Sequence, residues 1–176
     1  MRKANFKDLK KISEIIDKAK ESLKNDGVDQ WQNGTPNLPL LGQQVSRANS
    51  YVYEKDGFIV VYAYLSEEYE PTYASVKSIM KGKNPITIHT FCVDKDIRGE
   101  GVASKFFKEI KAYAIKNNKD AIRIDTHEDN FRMRGFIDKM GFSYLGPIYV
   151  DDNGKIMPRL AYELMLWSIK HKKRSL

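Results

Sequence analysis

A turn with the sequence RGEGVA, residues 98–103, holds the residue types best suited to chemistry in this chain. An apolar, β-branched run precedes it over 86–93, and a helix-periodic segment follows it directly. The start of a helix leaves backbone N–H groups without partners and carries partial positive charge, and glycines let the main chain approach an anion closely. The sequence therefore predicts a phosphate-binding turn between a strand and a helix.

The glycine spacing excludes the commonest phosphate loops. No Gly-Lys-Ser/Thr follows, as in a Walker loop, and no third glycine completes a dinucleotide-binding fingerprint. The pattern Arg/Gln-x-x-Gly-x-Gly/Ala, from Arg98 through Gly101 to Ala103, resembles the pyrophosphate loop of the GCN5-related N-acetyltransferase (GNAT) superfamily. Asn130 followed by Gly141-Phe142 resembles the Asn…Gly-Phe segment of that family, so the resemblance covers about residues 86–145.

The resemblance to GNAT proteins implies acetyl-CoA, or another acyl-CoA, as donor and a primary amine as acceptor. It implies that the pantetheine arm bonds to main chain near Phe91 and Val93, and that Asn130 lines the thioester end. The residues implied for the pyrophosphate are Arg98, through its charge, and Gly99, Gly101, Val102, Ala103 and Ser104, through their N–H groups. For Arg98, a surface ion pair with Glu100 or Asp96 is the alternative.

One departure from the family pattern concerns the general acid. Many GNAT proteins carry a tyrosine four residues before the Gly-Phe pair, and this chain has Ile137 there, which cannot donate a proton. His127, Tyr149 and Tyr144 are the substitutes that the sequence offers, and water is another. A second class of function therefore stays open, a CoA-binding module with little or no turnover.

Two histidines are candidates for the base that removes a proton from the acceptor ammonium. Strand alternation predicts that His89 shares a face with Phe91 and Val93, and the Val93 N–H is the simplest donor to the oxyanion. His127 lies in a polar cluster after the next predicted strand, where open α/β sites gather ligands. The alternative for His89 is a satisfied core or interface residue, and for His127 a loop and helix cap.

The acceptor side of the predicted site is less defined. The prolines Pro36 and Pro39, two glycines and several amides predict an irregular segment over 28–42. Trp31 stands in it either as a substrate-pocket wall or as a loop residue anchored on the core. Glu67, Glu68 and Glu70 form an acidic stretch that would attract a cationic amine or simply be solvated. The acceptor stays unidentified at this stage.

Composition restricts the class of protein. The chain has 176 residues, 41% of them apolar, which fits one domain, predicted over 1–168. No apolar run is long enough to cross a membrane and no signal-peptide core is visible, which predicts a cytoplasmic protein. The lone Cys92 is expected to be a buried small hydrophobe. Three histidines without paired spacing predict that no metal is bound.

The net charge of +7 suits a protein that binds a polyanionic cofactor. Part of it lies in a basic tail, 169–176, which is either a solvated end or a contact for nucleic acid. A nucleic-acid-binding domain is the third function considered, but aromatic residues are not interleaved with the basic ones and the glycine turn would stay unexplained.

The predicted elements place the glycine turn at the centre of an α+β fold. Hydrophobic periodicity and turn residues predict a helix over 5–24 that starts with a capping box of Asn5 and Asp8, a hairpin over 50–65, a loop over 66–85, a strand over 86–93, a helix over 101–117, a strand over 121–125, a helix over 130–140 and a final hairpin over 142–166 that turns over 151–154. This order predicts a GNAT-type mixed, mostly antiparallel twisted sheet with a central β-α-β core that binds CoA, flanked by helices. A homodimer would pair through the final hairpin.

Overall fold

The computed structural model describes residues 1–166, so the basic tail and the last residues of the predicted domain lie outside the described part. The strands of its sheet are β1 (Arg2–Lys3), β2 (Ser50–Lys55), β3 (Phe58–Ser66), β4 (Pro85–Val93), β5 (Ala121–Thr126), β6 (Ser143–Asp152) and β7 (Lys155–Met165). The α-helices are α1 (Leu9–Asn25), α2 (Leu38–Ser46), α3 (Val102–Lys116) and α4 (Phe131–Lys139).

The strands form one sheet in the order β1-β2-β3-β4-β5-β7-β6. Strands β4 and β5 are parallel and are joined through α3, whereas every other pair in the described sheet is antiparallel. The parallel pairing runs from Pro85 opposite Ala121 to Ile88 opposite Ile124 and stops there. The predicted mixed, mostly antiparallel α+β fold with a central β-α-β unit is confirmed.

The two faces of the sheet are covered by different helices. One core cluster joins α3 and α4 to the sheet, with Phe106, Ile110 and Ile137 fully buried. A second cluster joins α1 and α2 to the other face, with Ile12 and Leu41 fully buried. The sheet therefore separates two helical layers. The space between β4 and β5, where the two strands diverge, connects one face of the sheet with the other.

The start of the chain is fixed by a capping box, as the sequence predicts. The Asn5 backbone N–H donates to Asp8 Oδ2 at 2.8 Å, and the Asn5 side chain caps the 3₁₀ turn Phe6–Asp8 that leads into α1. Arg2 donates from both terminal nitrogens to the Asp8 carboxylate, at 2.7 and 3.0 Å. The Asp8 carboxylate therefore connects β1 to the start of α1.

We expect Asp8→Asn to lower the free energy of unfolding by about 1–2 kcal/mol at pH 7, as loss of a cap does. The Arg2 hydrogen bonds, helped by the Asn5 N–H and opposed by burial, hold the pKa of Asp8 below its ordinary 3.8. The contribution is therefore complete above that value and is lost as the pH falls below it. Urea titrations at pH 7, 5 and 3.5 measure this.

The exposed Glu14→Gln serves as the matched control for that variant, because it removes a carboxylate from α1 that makes no hydrogen bond among the described residues. A difference between Asp8→Asn and wild type that is as large at pH 3.5 as at pH 7 would contradict the electrostatic account and leave only a packing effect.

Three predicted boundaries were wrong. Helix α2 begins at Leu38, inside the segment 28–42 predicted to be irregular, with the Asn37 side chain capping it through Leu40 N–H. The loop predicted over 66–85 contains a 3₁₀ helix, Pro71–Val76. The last hairpin turns at 153–154 rather than over 151–154, so Asp152 lies in β6 and is buried.

None of the helices within residues 1–166 is both long enough and apolar enough to cross a membrane.

Candidate active site

The predicted phosphate turn joins β4 to α3. Gly99 and Gly101 have left-handed φ values of 89° and 72°, and a Cβ added to either would meet no heavy atom within 4 Å. The first hydrogen bond of α3 runs from the Lys105 N–H to the Gly101 carbonyl at 3.1 Å. The N–H groups before Lys105 therefore have no intrahelical acceptor and point out of the helix start. Open space in front of these amides fits a phosphate group.

The charged residues around the turn have their own partners. Arg98 donates to Ser22 Oγ at 2.8 Å, so it forms neither of the ion pairs considered from the sequence. Glu100 instead pairs with Lys55, and Asp96 pairs with Lys18. Arg98 lines the cavity and forms no ion pair with a carboxylate of residues 1–166.

A gap opens between β4 and β5 next to this turn. The Asp94 N–H donates to the Val60 carbonyl at 2.8 Å, which makes the neighbouring Val61 and Val93 a non-hydrogen-bonded pair. The N–H and C=O of Val93 therefore point away from β3, toward β5, whose pairing with β4 has ended at Ile88. Main-chain groups of β4 are thus presented to the gap, as the resemblance implies.

A β-bulge interrupts β4 on its way to the gap. Tyr64 pairs with His89 and Tyr62 with Cys92, so β4 holds one residue more than β3 between these pairs. Thr90 within the bulge has a φ of 54°, which is rare for a β-branched residue and signals local strain.

The bulge corrects the predicted placement of His89. Residues opposite each other share a face, so His89 lies on the face of Cys92, toward α1 and α2. Phe91 and Val93 lie on the opposite face, where the Phe91 ring stacks on Phe136 with centroids 5.1 Å apart. The expectation that His89, Phe91 and Val93 share a face was wrong, because an extra residue shifts the alternation by one.

A charged cluster lies beyond the gap on the His89 face. His89 Nε2 is 2.9 Å from Glu70 Oε1, and the Tyr73 hydroxyl donates to Asp125 Oδ1 at 3.1 Å. Glu70 comes from the chain just before the 3₁₀ helix, and Asp125 comes from β5 just past the end of its pairing with β4. The fold therefore brings two carboxylates and an imidazole together at the open end of the parallel pair.

Burial and charge shift the pKa values of this cluster in definite directions. Burial lowers the pKa of His89, but the hydrogen bond that His89 donates to Glu70 and the charges of Asp125 and Glu70 outweigh it, so the pKa lies above 6.5. Burial raises the pKa of Glu70, but its contacts with His89 outweigh that and bring the pKa below its ordinary value. Burial raises the pKa of Asp125. The contact with Glu70 therefore favours the protonated imidazole, and the neutral imidazole becomes available as the pH rises through the pKa of His89.

The segment around Trp31 closes this side of the site. Gln30 Oε1 accepts hydrogen bonds from Asn130 Nδ2 at 3.0 Å, and from Thr126 Oγ1 and the His127 N–H at 3.3 Å. Trp31 has a φ of 65°, lines the cavity and also packs against the α1–α2 core. Trp31 therefore lines the cavity and is anchored on the core, and its contact with a substrate stays a prediction.

A continuous cavity of about 1040 Å³ joins the glycine turn to the charged cluster. All nine residues predicted to contact CoA line it, and so do Trp31 and His89. Glu70, Asp125 and Arg159 line it as well. Asn130 also caps α4 through the Met133 N–H at 3.1 Å, which gives this residue a structural role beside the predicted one.

His127 and Tyr149 do not reach this cavity. His127 is buried, and its Nδ1 accepts from the Asp129 N–H at 3.2 Å, as a loop residue does. Tyr149 is 61% exposed, outside the cavity lining, and Tyr144 is 54% exposed and contacts Tyr162. Ile137, at the position of the family tyrosine, is fully buried. The structure therefore places His89 alone of the proposed bases and acids at the cavity.

Two further expectations concern Cys92 as a nucleophile and the binding of a metal ion. Cys92 is buried, and burial raises the pKa of its thiol to about 12, so it is not a nucleophile. Within residues 1–166 no group of three or more His, Cys, Asp or Glu side chains is arranged to hold a metal ion.

Sequence reasoning missed the pairing of Glu70 with His89 and the burial of Arg159 and Asp152 at the cavity. Glu70 stood in a stretch interpreted only as acidic, and its partner is 19 residues away. Arg159 alternates with Ala161 and Glu163 in β7, and charged residues at alternate positions of an apolar strand were the available signal.

Comparisons with known proteins agree with this geometry. The family model described as "Acetyltransferase (GNAT) family" matches residues 13–142. The crystal structure of a GNAT-family acetyltransferase from Streptococcus agalactiae has a TM-score of 0.80 and 26% identity, covering 95% of both chains.

More distant structures share the fold. A ribosomal-protein-alanine N-acetyltransferase from Brucella melitensis has a TM-score of 0.69 and 17% identity, over 94% of this chain and 98% of that one. The yncA protein of Salmonella typhimurium, determined with its cofactor acetyl-CoA, has a TM-score of 0.67 and 15% identity, over 95% and 93%. No curated protein matches the sequence significantly. The family match over most of its length shows that the chain belongs to the acetyltransferase (GNAT) family.

Proposed function

We propose that this protein is an acetyl-CoA-dependent N-acetyltransferase that moves the acetyl group to a primary amine by direct attack. The observation that carries the proposal is the single cavity that runs from the free amides at the start of α3, through the gap between β4 and β5, to the Glu70–His89 pair. A polyanionic donor and an amine acceptor would meet where the two halves join.

The donor half follows from the residues of the turn and the gap. The N–H groups of Gly99, Gly101, Val102, Ala103 and Ser104 would hold the pyrophosphate, with Arg98 adding charge. The main-chain groups of Phe91 and Val93 would bond the pantetheine arm, and Asn130 would face the thioester end. When bound, acetyl-CoA supplies an acetyl group activated as a thioester.

In the acceptor half we assign the general base to His89. The amine arrives as ammonium near pH 7, and the neutral imidazole of His89 accepts the proton that it must lose. Glu70 orients the ring through its hydrogen bond and stabilises the imidazolium that forms. The amine nitrogen then forms a C–N bond as the C–S bond breaks, with the Val93 N–H donating to the acetyl oxygen.

The leaving thiolate needs no strong acid. A thiol has an ordinary pKa of about 8.5, so the thiolate is a stable leaving group that water protonates. The apolar Ile137 is compatible with turnover on this account, and neither His127 nor Tyr149 has to move to the cavity. The alternative, CoA binding without turnover, rests on Ile137 alone.

Calorimetric titration with acetyl-CoA is the first test. We expect saturable one-site binding with a dissociation constant at or below about 0.1 mM, in the usual range for enzyme substrates, and weaker binding of dephospho-CoA and ATP. Thiol release in the presence of an amine panel then separates the enzyme from a binding module. Lack of binding at millimolar acetyl-CoA would overturn the assignment of the turn.

A nucleic-acid-binding function is tested in the same preparation. Salt-sensitive RNA or DNA binding that disappears on removal of residues 170–176 would support that alternative. Binding of acetyl-CoA that is unaffected by the same truncation would show that the tail takes no part in binding the donor.

A further inference from the structure

Arg159 is a buried cation, and most of its N–H donors make no hydrogen bond within residues 1–166. Its side chain is 4% exposed and lines the cavity. Nη1 donates to the Pro158 carbonyl at 2.8 Å, and the closest carboxylate oxygen, Asp152 Oδ2, lies 3.8 Å from Nη2, beyond hydrogen-bond distance. No other hydrogen bond joins its guanidinium to a residue within 1–166. A guanidinium carries five N–H donors, so most of the Arg159 donors have no acceptor within residues 1–166.

The carboxylates near Arg159 accept hydrogen bonds from residues other than Arg159. Asp152 accepts from Thr35 Oγ1 at 2.6 Å and from Asn33 Nδ2 at 3.2 Å. Asp125 accepts from the Tyr73 hydroxyl at 3.1 Å. These carboxylates offset the charge of Arg159 at a distance without bonding it. An anionic oxygen group that entered the cavity would accept charge-assisted hydrogen bonds from these donors.

The position of Arg159 relates it directly to the amine end of the cavity. Asp125 lies opposite Ala161 in the β5–β7 pairing, and Arg159 is two residues from Ala161, so both charged side chains emerge on one face of the sheet. His89 lies on this face too. Ile88 pairs with Ile124, and His89 and Asp125 are the next residues along these parallel strands, so both side chains point to the face opposite Ile88 and Ile124. Asp125 and Arg159 are therefore diagonal neighbours on adjacent strands, with their Cβ atoms roughly 7 Å apart.

The surroundings favour a small acceptor. The segment that carries Trp31 is tied over the cavity to the β6–β7 hairpin: Asn153 Nδ2 donates to the Asn33 carbonyl at 2.9 Å, and Lys155 pairs with Asp29 at 3.1 Å. Trp31, Leu40 and Tyr69 supply apolar walls. A polyamine would bring a second cation toward Arg159, and this repulsion argues against that class of acceptor.

From these contacts we propose that the acceptor is an amino acid or a similar small molecule, whose carboxylate binds Arg159 while its amine lies between Glu70, His89 and Asp125. This proposal rests on the proposed function and names its substrate class. Arg159 contacts substrate and sets specificity; it takes no part in proton transfer.

The test compares matched acceptors with the full-length protein and acetyl-CoA. Each of the twenty amino acids is assayed by thiol release beside its amide and its decarboxylated amine. We expect kcat/KM to be about ten- to a hundredfold higher for the free acid of the best set, the size of a charge-assisted hydrogen bond. Arg159→Gln should remove this preference, while Arg159→Lys should keep part of it and both should bind acetyl-CoA normally.

The outcomes separate this proposal from the proposed function. Equal turnover of acids, amides and amines would overturn the carboxylate site and leave the N-acetyltransferase assignment standing. Thermal shifts of the CoA-saturated protein with the same compounds give a readout that needs no turnover, and a shift by amino acids that is the same in wild type and Arg159→Gln would also overturn it. Arg47→Gln, at the exposed rim of the cavity, is the matched control; loss of the preference in that variant instead would assign the carboxylate elsewhere.

Discussion

Replacing Gly101 by valine should weaken acetyl-CoA binding on the order of 100-fold while the protein stays folded. Gly101 has a φ of 72°, and a β-branched residue in this region is strained. The valine must therefore rotate the backbone at the N-cap of α3, which turns away the amides that precede Lys105, or place its side chain in the open space in front of them. Calorimetry measures the affinity, and circular dichroism with thermal unfolding measures the fold.

The chain offers a matched control for this variant. Gly57, in the turn between β2 and β3, has a φ of 81°, no heavy atom within 4 Å of an added Cβ, and no place in the cavity lining. Gly57→Val therefore carries the same backbone strain without touching the phosphate turn, and acetyl-CoA affinity should stay at the wild-type value. Unchanged affinity in Gly101→Val would remove the phosphate assignment, and equal losses in both variants would indicate a general effect of strain.

The sequence was sufficient for the central β-α-β unit because local signals there agree with one another. The β-branched run, the two glycines and the periodic apolar positions of α3 each specify one element, and their order specifies the crossover. Helix α2 escaped prediction because Pro39 was treated as a helix breaker. It stands in the first turn, where a proline removes no hydrogen bond, and Asn37 caps the helix before it.

The geometry of the site was harder to predict, because it depends on non-local pairing. Strand alternation placed His89 beside Phe91, and one extra residue at Thr90 reversed this relation. The residue with positive φ in this bulge is Thr90 instead of a glycine, so no local sequence pattern predicts the bulge. In the same way Asp152 was assigned to a turn by composition, and only the register of β6 against β7 shows that it is buried next to Arg159.

These two failures have a common physical origin. A strand pattern specifies which residues are apolar, but the partner strand decides where the alternation restarts and how far a hairpin extends. The charged residues of the acceptor half sit where pairing ends or shifts: Asp125 past the last β4–β5 pair, and His89 at the edge of the bulge. The irregular backbone at these positions therefore opens the site. It is also the reason why the site could not be predicted from the sequence.

A change of His89 to glutamine should lower kcat/KM about 100- to 1000-fold, the usual contribution of a general base. Acetyl-CoA affinity should stay unchanged, because His89 lies outside the phosphate turn and on the face of the sheet opposite Phe91 and Val93. His127→Gln is the matched control, since this buried histidine does not line the cavity, and it should keep most of the activity. A His89→Gln enzyme with nearly wild-type turnover would exclude His89 as the base.

The pH dependence provides an independent test through Glu70. His89 must be neutral to accept a proton, and its pKa lies above 6.5, so kcat/KM should rise with pH through that pKa. Glu70→Gln removes the partner that raises this pKa while burial, which lowers it, persists. The acidic limb should then move to lower pH by about one unit. The acceptor's own ionisation is common to both enzymes, so the shift between them reports His89; an acidic limb at the same pH in both would show that another group is the base.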